Sequence, residues 1–375
     1  MDRQRLWELI SLPFKASGEK PRFIRISRAH VSGVSYLNIG EAGVRLLRDM
    51  ADTGMKVKVR TTLNPGFAEL SEPGEGSCAP SIVTKQKEIA DSFLRMGVSP
   101  TFSCTPYLEA NVPSRGEHLA WAESSAVLYS NTVIGAWTNK ESGIGALAAA
   151  LIGVTSLTGV HVPSGRIPKV RIDYEGEVSD EVIAGALGYA VGGLSGDKIP
   201  AIRSEGLLDQ VRTAEYLAAL GTSGSTPMAV IEGVSPRARR RPTEKLLSVK
   251  VSETDVHHVL DAFKPDQPPE AILIGCPHVI RSSARTILSL SEAKPGLPVF
   301  VFTSRRTKNR LKRAGLLQKL RARGIDVVAD ACIMWCGLRS LDYQSVITNS
   351  VKGAYYLKNQ MRIDVDLRPL KRIAG

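Results

Sequence analysis

Three cysteines carry the most chemistry in this sequence. Cys104, Cys276 and Cys332 each fall at or just after the expected C-terminal end of a short apolar strand, in loops rather than helices. Strand ends of this kind converge in open α/β sheets. Three thiolates delivered from separate strands suit an iron-sulfur cluster in which one iron lacks a protein ligand and acts as a Lewis acid toward a substrate hydroxyl. On the residues alone a second reading stays open, because free cysteines are commonly buried as small hydrophobes. Cys332 and Cys336, with three residues between them, resemble half of a zinc site, but no second short-spaced pair supplies the other half. Cys336 therefore reads as a packing residue and Cys78, in the turn-rich EPGEGSCAP, as a loop thiol.

His30, His161 and His278 also sit beside expected loop or strand ends, where an imidazole donates to a substrate oxygen or to cluster sulfur, or simply fills a structural role. No nucleophile elbow and no Walker phosphate loop occurs, which removes the serine hydrolase and kinase readings.

The elements that must position these residues alternate between strand and helix patterns. FIRIS (23–27) reads as a strand delivering residues 28–32 into a loop, 40–52 as a helix and MKVKVR (55–60) as a strand, the order of a βαβ unit. Before them, RLWELISLPF reads as an amphipathic helix broken at Pro13. Further helices are expected over 84–96, 144–154, 282–293 and 306–323, and strands over 101–103, 271–274, 299–303 and 326–329. The glycines of GALGYAVGGLSG (185–196) predict close packing of backbone against a neighbour. Turn residues at 221–227 and the basic run SPRARRRPT (235–243) place a domain boundary near 225/226. Residues 1–225 then carry Cys104 and the candidate substrate loops, and 226–375 a second α/β region with Cys276 and Cys332.

Length and charge bound the rest. The 375 residues suit two to three domains, and 49 Lys and Arg against 37 Asp and Glu give a net charge of +12. That excess fits a phosphorylated substrate, an acidic partner, a membrane surface or nucleic acid. Nucleic acid is disfavoured, because no zinc-finger spacing occurs and no aromatics interleave the basic residues. The longest apolar stretch, 144–155, falls short of the roughly 20 residues a spanning helix needs, so no membrane segment is expected. The opening MDRQRLWELI breaks its apolar residues with charges, unlike a signal peptide. Five cysteines, an odd number, then read as thiols or metal ligands in a reducing cytoplasm rather than as a disulfide framework.

Seven segments in order, SRAHVSGVSY (27–36), TTLNPG (61–66), SCTPYL (103–108), ESSAVLYSNTVIGAWTNKESG (123–143), GCPH (275–278), ADAC (329–332) and TNSVKGAYYL (348–357), resemble the aconitase X family over nearly the whole chain. The resemblance implies an aconitase-like, multi-domain α/β architecture whose open sheets converge on a central cluster site. It looks like the separate large subunit, whose missing swivel domain a small partner subunit supplies. It also implies that Cys104, Cys276 and Cys332 hold a 4Fe-4S cluster, whose open iron would take the substrate's C3 hydroxyl and carboxylate while a base from the small subunit removes the C2 proton.

The activity so implied is a cytoplasmic hydro-lyase that dehydrates (R)-mevalonate 5-phosphate to trans-anhydromevalonate 5-phosphate in the archaeal mevalonate route to isoprenoids. The alternatives are dehydration of cis-3-hydroxy-L-proline within the same family, or a non-catalytic aconitase-like protein that binds RNA. The matching segments place His30, Ser32, Thr62, Asn64, Asn131, Thr138, Asn139, Lys140, Ser350 and Lys352 around the substrate, with Arg28 and Arg203 as further anion-binding candidates. Small hydroxyls, amides and a few cations are what a carboxylate and a phosphate require. Trp137 and Ala331 depart from the family pattern, standing where a basic residue and a threonine are more usual.

Overall fold

The structure is a computed structural model that describes residues 3–71, 78–236, 246–279 and 296–373. It opens on a helix, Arg3–Ser17, that runs through Pro13 instead of breaking there. A proline in a helix forfeits one hydrogen bond, and here Leu6, Ile10 and Phe14 on one stripe of the helix are buried to either side of it. The first region then carries β1 (Phe23–Arg25), β2 (Arg28–Val31), β3 (Arg60–Leu63), β4 (Leu119–Trp121) and β5 (Val154–Ser156). A parallel sheet in the order β3-β2-β4 forms its centre, and β1 pairs antiparallel with β5.

Two expectations fail here. Residues 28–31 lie in strand β2 rather than in a loop, so His30 is a buried strand residue. Residues 55–59 form no strand: their alternating side chains find no ladder partner, and the pairing falls on Arg60–Leu63 beside β2.

The second region is a parallel sheet in the order β8-β7-β6-β9, formed by β6 (Val170–Tyr174), β7 (Pro200–Ile202), β8 (Val230–Ile231) and β9 (Leu247–Val251). This sheet takes strands from both sides of residue 225, since β9 pairs with β6 in register from Val170↔Leu247 to Tyr174↔Val251. The third region is a five-stranded parallel sheet in the order β12-β11-β10-β13-β14. Its strands are β10 (Ala271–Val279), β11 (Val299–Thr303), β12 (Ile325–Val328), β13 (Ser345–Thr348) and β14 (Asp364–Leu367). Strands such as Ala271–Ile274 and Val299–Thr303 are continuously apolar because a parallel sheet is covered on both faces. The expected helix over 306–323 is two helices, Arg305–Arg313 and Leu316–Arg321, parted at Gly315, whose φ is +67°. The expected helix over 282–293 and the basic residues 237–241 lie outside the described residues.

The largest core runs through all three regions, from Trp121 and Leu128 through Tyr216 and Leu220 to Phe302 and Trp335. Its centre is the packing of helix Glu181–Ser195 on helix Gln210–Ser223. Asp180 caps the first of these by accepting from the Val182 and Ile183 amides, and Asp209 caps the second in the same way. The glycine-rich segment sits in the first helix, and a Cβ on Gly188 would run into the Tyr216 carbonyl oxygen of the second. Two helix backbones touch there because neither side chain intervenes. Among the described residues no helix is long and apolar enough to cross a membrane.

Gly188→Ala should therefore lower unfolding stability by about 1–3 kcal/mol, the usual cost of overpacking. Gly193→Ala, on the open side of the same helix, should be neutral or stabilising by up to about 1 kcal/mol. Chemical denaturation of both variants checks this, and equal effects at the two positions would contradict the close approach.

Candidate functional site

The three free cysteines come from three stretches of chain and lie near enough to act on one another electrostatically, Cys276 on Cys104 and Cys332 on Cys276. Cys104 follows no strand of its own; the Ser103 amide donates to the Leu63 carbonyl at 3.0 Å, which fastens the segment to the end of β3. The backbone just before it, Phe102, adopts a φ of +44°. Cys276 lies inside β10 rather than beyond it, at the point where the β10–β11 register shifts between Ile274 and Val279. Cys332 follows β12 and is held to the first region: Gly66 donates to the Asp330 carbonyl at 2.7 Å, and the Cys332 amide donates to the Gly66 carbonyl at 3.3 Å. The Asp330 carboxylate, fully buried, accepts from Arg305 Nε and Nη2 at 2.7 and 2.8 Å and from the Leu70 amide.

Each of the three residues is partly exposed, yet burial of the sulfur pushes every thiol up. For Cys104 burial is joined by Glu123 and by Cys276 itself. Burial pushes Cys276 up to about 12 against the opposing pull of Lys352, and Cys332 adds to the rise. The thiols thus interact with one another and with one buried pair of charges. The His278 amide donates to Cys104 Sγ at 3.2 Å, while His278 Nε2 donates to the Ala331 carbonyl at 3.0 Å and Nδ1 is left buried and unpartnered.

That pair of charges is Glu123 and Lys352. Glu123 precedes helix Ser124–Tyr129 and caps it through the Ala126 amide; Lys352 stands in helix Val351–Tyr356, which Ser350 caps through the Gly353 amide. Nζ of Lys352 lies 2.5 Å from Glu123 Oε1 and 3.0 Å from Ser125 Oγ. Burial alone would lower the Lys352 ammonium, but Glu123, Tyr356 and Cys276 raise it well above the usual lysine value. Burial likewise opposes the Glu123 carboxylate, and Lys352 more than offsets it. Lys352 is therefore a fixed cation and not a base at neutral pH. Burial, with the charge of nearby Glu181, pushes the Glu215 carboxyl well above the usual carboxylate value.

His30, Thr62 and Asn64 form one cluster beside this pair. His30 Nε2 donates to Asn64 Oδ1 at 3.4 Å, which leaves Nδ1 to accept from the Thr62 hydroxyl at 2.8 Å, while Thr62 Oγ1 accepts from Asn111 at 3.0 Å. Burial holds the His30 imidazole down at about 4, against the opposing charge of Glu123, so it is neutral with its proton on Nε2.

The other expected residues are spent on the scaffold. The Asn131 side chain donates to the Thr138 carbonyl and accepts from the Thr138 amide, the Thr138 hydroxyl accepts from the Trp121 amide, Asn139 holds the Thr158 and Val160 backbone, and Lys140 donates to the Gly221 and Gly224 carbonyls. Lys140 still feels the charge of Lys352. The Ser32 carbonyl packs where a side chain at Gly143 would stand. Arg28 is committed to Glu117 at 2.9 Å, while Arg203 is exposed. Cys78 and Cys336, expected as a loop thiol and a packing residue, are joined in a disulfide with their Cα atoms 5.4 Å apart. The pairing bridges 258 positions, which no local spacing reveals. Sequence reasoning also missed Glu123, Asn111 and Glu215; only the cap position of Glu123 before SSAV carried a local signal.

Family models for the aconitase X first, second and third domains match residues 11–164, 168–261 and 269–374. The chain is 35% identical over 90% of its length to the "Phosphomevalonate dehydratase large subunit" of Thermococcus kodakarensis, of which it covers 86%. It is 30% identical over 89% of its length to the "Cis-3-hydroxy-L-proline dehydratase" of Hypocrea jecorina, of which it covers 59%. The aconitase X structure of Thermococcus kodakaraensis in its holo-form superposes with a TM-score of 0.89 at 32% identity, over 99% of this chain and 94% of that one.

Lys352→Met should destabilise the fold by about 3–5 kcal/mol, because it leaves the buried Glu123 carboxylate uncompensated. Adding Glu123→Gln to it should restore much of that loss. Urea unfolding of the single and double variants measures both, and a Lys352→Met chain as stable as the native one would disprove the role of the pair.

Proposed function

The chain belongs to the aconitase X family, and from that premise we propose that it is the large subunit of a hydro-lyase that removes water from (R)-mevalonate 5-phosphate. In this reading Cys104, Cys276 and Cys332 hold a 4Fe-4S cluster. The observation that carries it is the meeting of three free thiols from three chain segments beside the Glu123–Lys352 pair, with an amide already donating to Cys104 sulfur.

The donor set fits such a cluster. Three thiols are soft ligands, and an N–H···S hydrogen bond is a usual partner of cluster sulfur. Among the described residues no three His, Cys, Asp or Glu side chains converge on the position of a single metal ion. A cluster makes no such demand, since it presents separate irons to separate thiolates. Desolvation of the three sulfurs calls for a strong cationic partner, beyond what Lys352 supplies, before they ionise together. When bound, the cluster supplies a Lewis-acidic iron that polarises the substrate's carbon–oxygen bond.

The chain's own residues then bind, orient and hold protons. Glu123 holds Lys352 as a permanent ammonium whose other donors go to Ser124 and Ser125, so the pair sets a fixed local charge beside the thiols. The Nε2–H of His30 is held only weakly by Asn64 and is available to a substrate oxygen, while Thr62 and Asn111 keep the ring in that tautomer.

A free base is missing from this set. Lys352 is held as an ammonium, Glu123 is tied to that lysine, and Nδ1 of His30 already accepts from Thr62. This supports a base contributed by a small swivel-domain partner subunit, as does the "large subunit" name of the relative from Thermococcus kodakarensis. The basic balance of the chain supports a phosphorylated substrate over cis-3-hydroxy-L-proline.

Assayed anaerobically with iron and sulfide, the chain plus a small partner should dehydrate (R)-mevalonate 5-phosphate and leave cis-3-hydroxy-L-proline at least about tenfold behind in kcat/KM, a difference of about 1.4 kcal/mol. The chain without the partner should be inactive. Preference for the proline, or turnover by the chain alone, would overturn the assignment.

A further inference from the structure

A cavity of about 520 Å³ lies at the far end of β4 from the cysteine site. His118, at its rim, immediately precedes β4, whereas Glu123 follows it. Extended chain rises about 3.3 Å per residue, which separates the two by roughly 16 Å. The neighbouring segment runs the same way: Trp137 pairs with His118 at the cavity end, and Lys140 pairs with Trp121 at the cysteine end. None of the three free cysteines lines the cavity.

The cavity lining is cationic and, among the described residues, short of counter-charge. The Arg166 guanidinium stacks 4.6 Å over the Trp137 ring, and its acceptors are Asn131 Oδ1 at 3.2 Å, the Asn131 carbonyl at 3.0 Å and the Val160 carbonyl at 3.4 Å. All three are neutral, and among the described residues no Asp or Glu pairs with it. Burial alone brings Arg166 down to about 10. A desolvated guanidinium without an anion is costly. Arg115, exposed at the rim, adds a second guanidinium.

Two stacked imidazoles add a directed donor. The Asn139 amide donates to His161 Nε2 at 3.4 Å, so the His161 proton is on Nδ1. That proton is given to His118 Nδ1 at 2.9 Å, which leaves the proton of His118 on Nε2. Burial, with the charge of Arg166, lowers both rings, His161 to about 3, so they stay neutral at pH 7. Ile167, Met228 and Val230 add apolar wall, with Ser235 also in the lining.

We propose that this cavity is a second ligand site, which binds a small aliphatic phosphate ester with its phosphate on Arg166, Arg115 and His118 Nε2–H and its carbon chain along the apolar wall. Two guanidiniums and an N–H offer more donors than a carboxylate can use and match the three oxygens of a phosphate. Planar guanidiniums engage such oxygens in pairs, and the Trp137 plate holds Arg166 in place for that contact. The site stands whether or not the cysteines carry a cluster.

Isothermal titration calorimetry on the full chain tests it with 3-methylbutyl phosphate, inorganic phosphate and 3-methylbutanol as probes. The ester should bind saturably at one site, inorganic phosphate at least about tenfold more weakly, and the alcohol not measurably. Arg166→Met and Arg115→Ala should each weaken the ester about tenfold or more, with Arg166→Lys between them and the native chain; Cys104→Ser should leave it unchanged. The Arg115 variant alters an exposed side chain, so its result holds even if Arg166→Met fails to fold. Absence of saturable binding, native-like affinity in Arg115→Ala, or loss of binding in Cys104→Ser would overturn the proposal, the last by moving the ligand to the cysteine site.

Discussion

A single buried ion pair, Glu123 with Lys352, joins the first region of the chain to the third across 229 positions. Neither charge is tolerable alone in that place: burial works against both, and each is kept ionised by the other. The cost of breaking such a pair exceeds the gain from making it. Its function is therefore one of position. It requires the end of β4 and the start of the helix after β13 to face each other, and the three thiols lie within the electrostatic reach of the same two charges.

The rest of the architecture serves that meeting. Three parallel sheets direct their strand ends toward loops, and parallel strands demand covering helices, which supply the closely packed pair Glu181–Ser195 and Gln210–Ser223 at the centre of the core. The stitch between residues 66–70 and 330–332, with Arg305 gripping Asp330, sets Cys332 against the first region. Membership of the aconitase X family and superposition on its solved structure agree with this arrangement.

Much of this was legible in the sequence, and the failures have common causes. Continuous apolar runs such as Ala271–Ile274 and Val299–Thr303 announced buried parallel strands, and the seven ordered motifs announced the family. The alternation of 55–60 misled, because pattern cannot tell a strand with a partner from one without. Pro13 misled because burial of one helix stripe overrides a lost hydrogen bond. Of the expected pocket residues, His30, Thr62, Asn64 and Lys352 share the cluster beside Glu123, whereas Asn131, Thr138 and Asn139 hold backbone elsewhere. Contacts between distant segments, the Cys78–Cys336 disulfide and the Glu123–Lys352 pair above all, leave no trace in local spacing.

The central claim is that Cys104, Cys276 and Cys332 act together as one ligand set. Anaerobic reconstitution with iron and sulfide tests it most directly, by bound iron and visible absorption in the native chain and in Cys104→Ser, Cys276→Ser, Cys332→Ser and Cys336→Ser. The account predicts that the first three variants lose the cluster and that Cys336→Ser, which removes only a disulfide sulfur, keeps it. A native chain that takes up no iron, or a cluster lost only in Cys336→Ser, would contradict it.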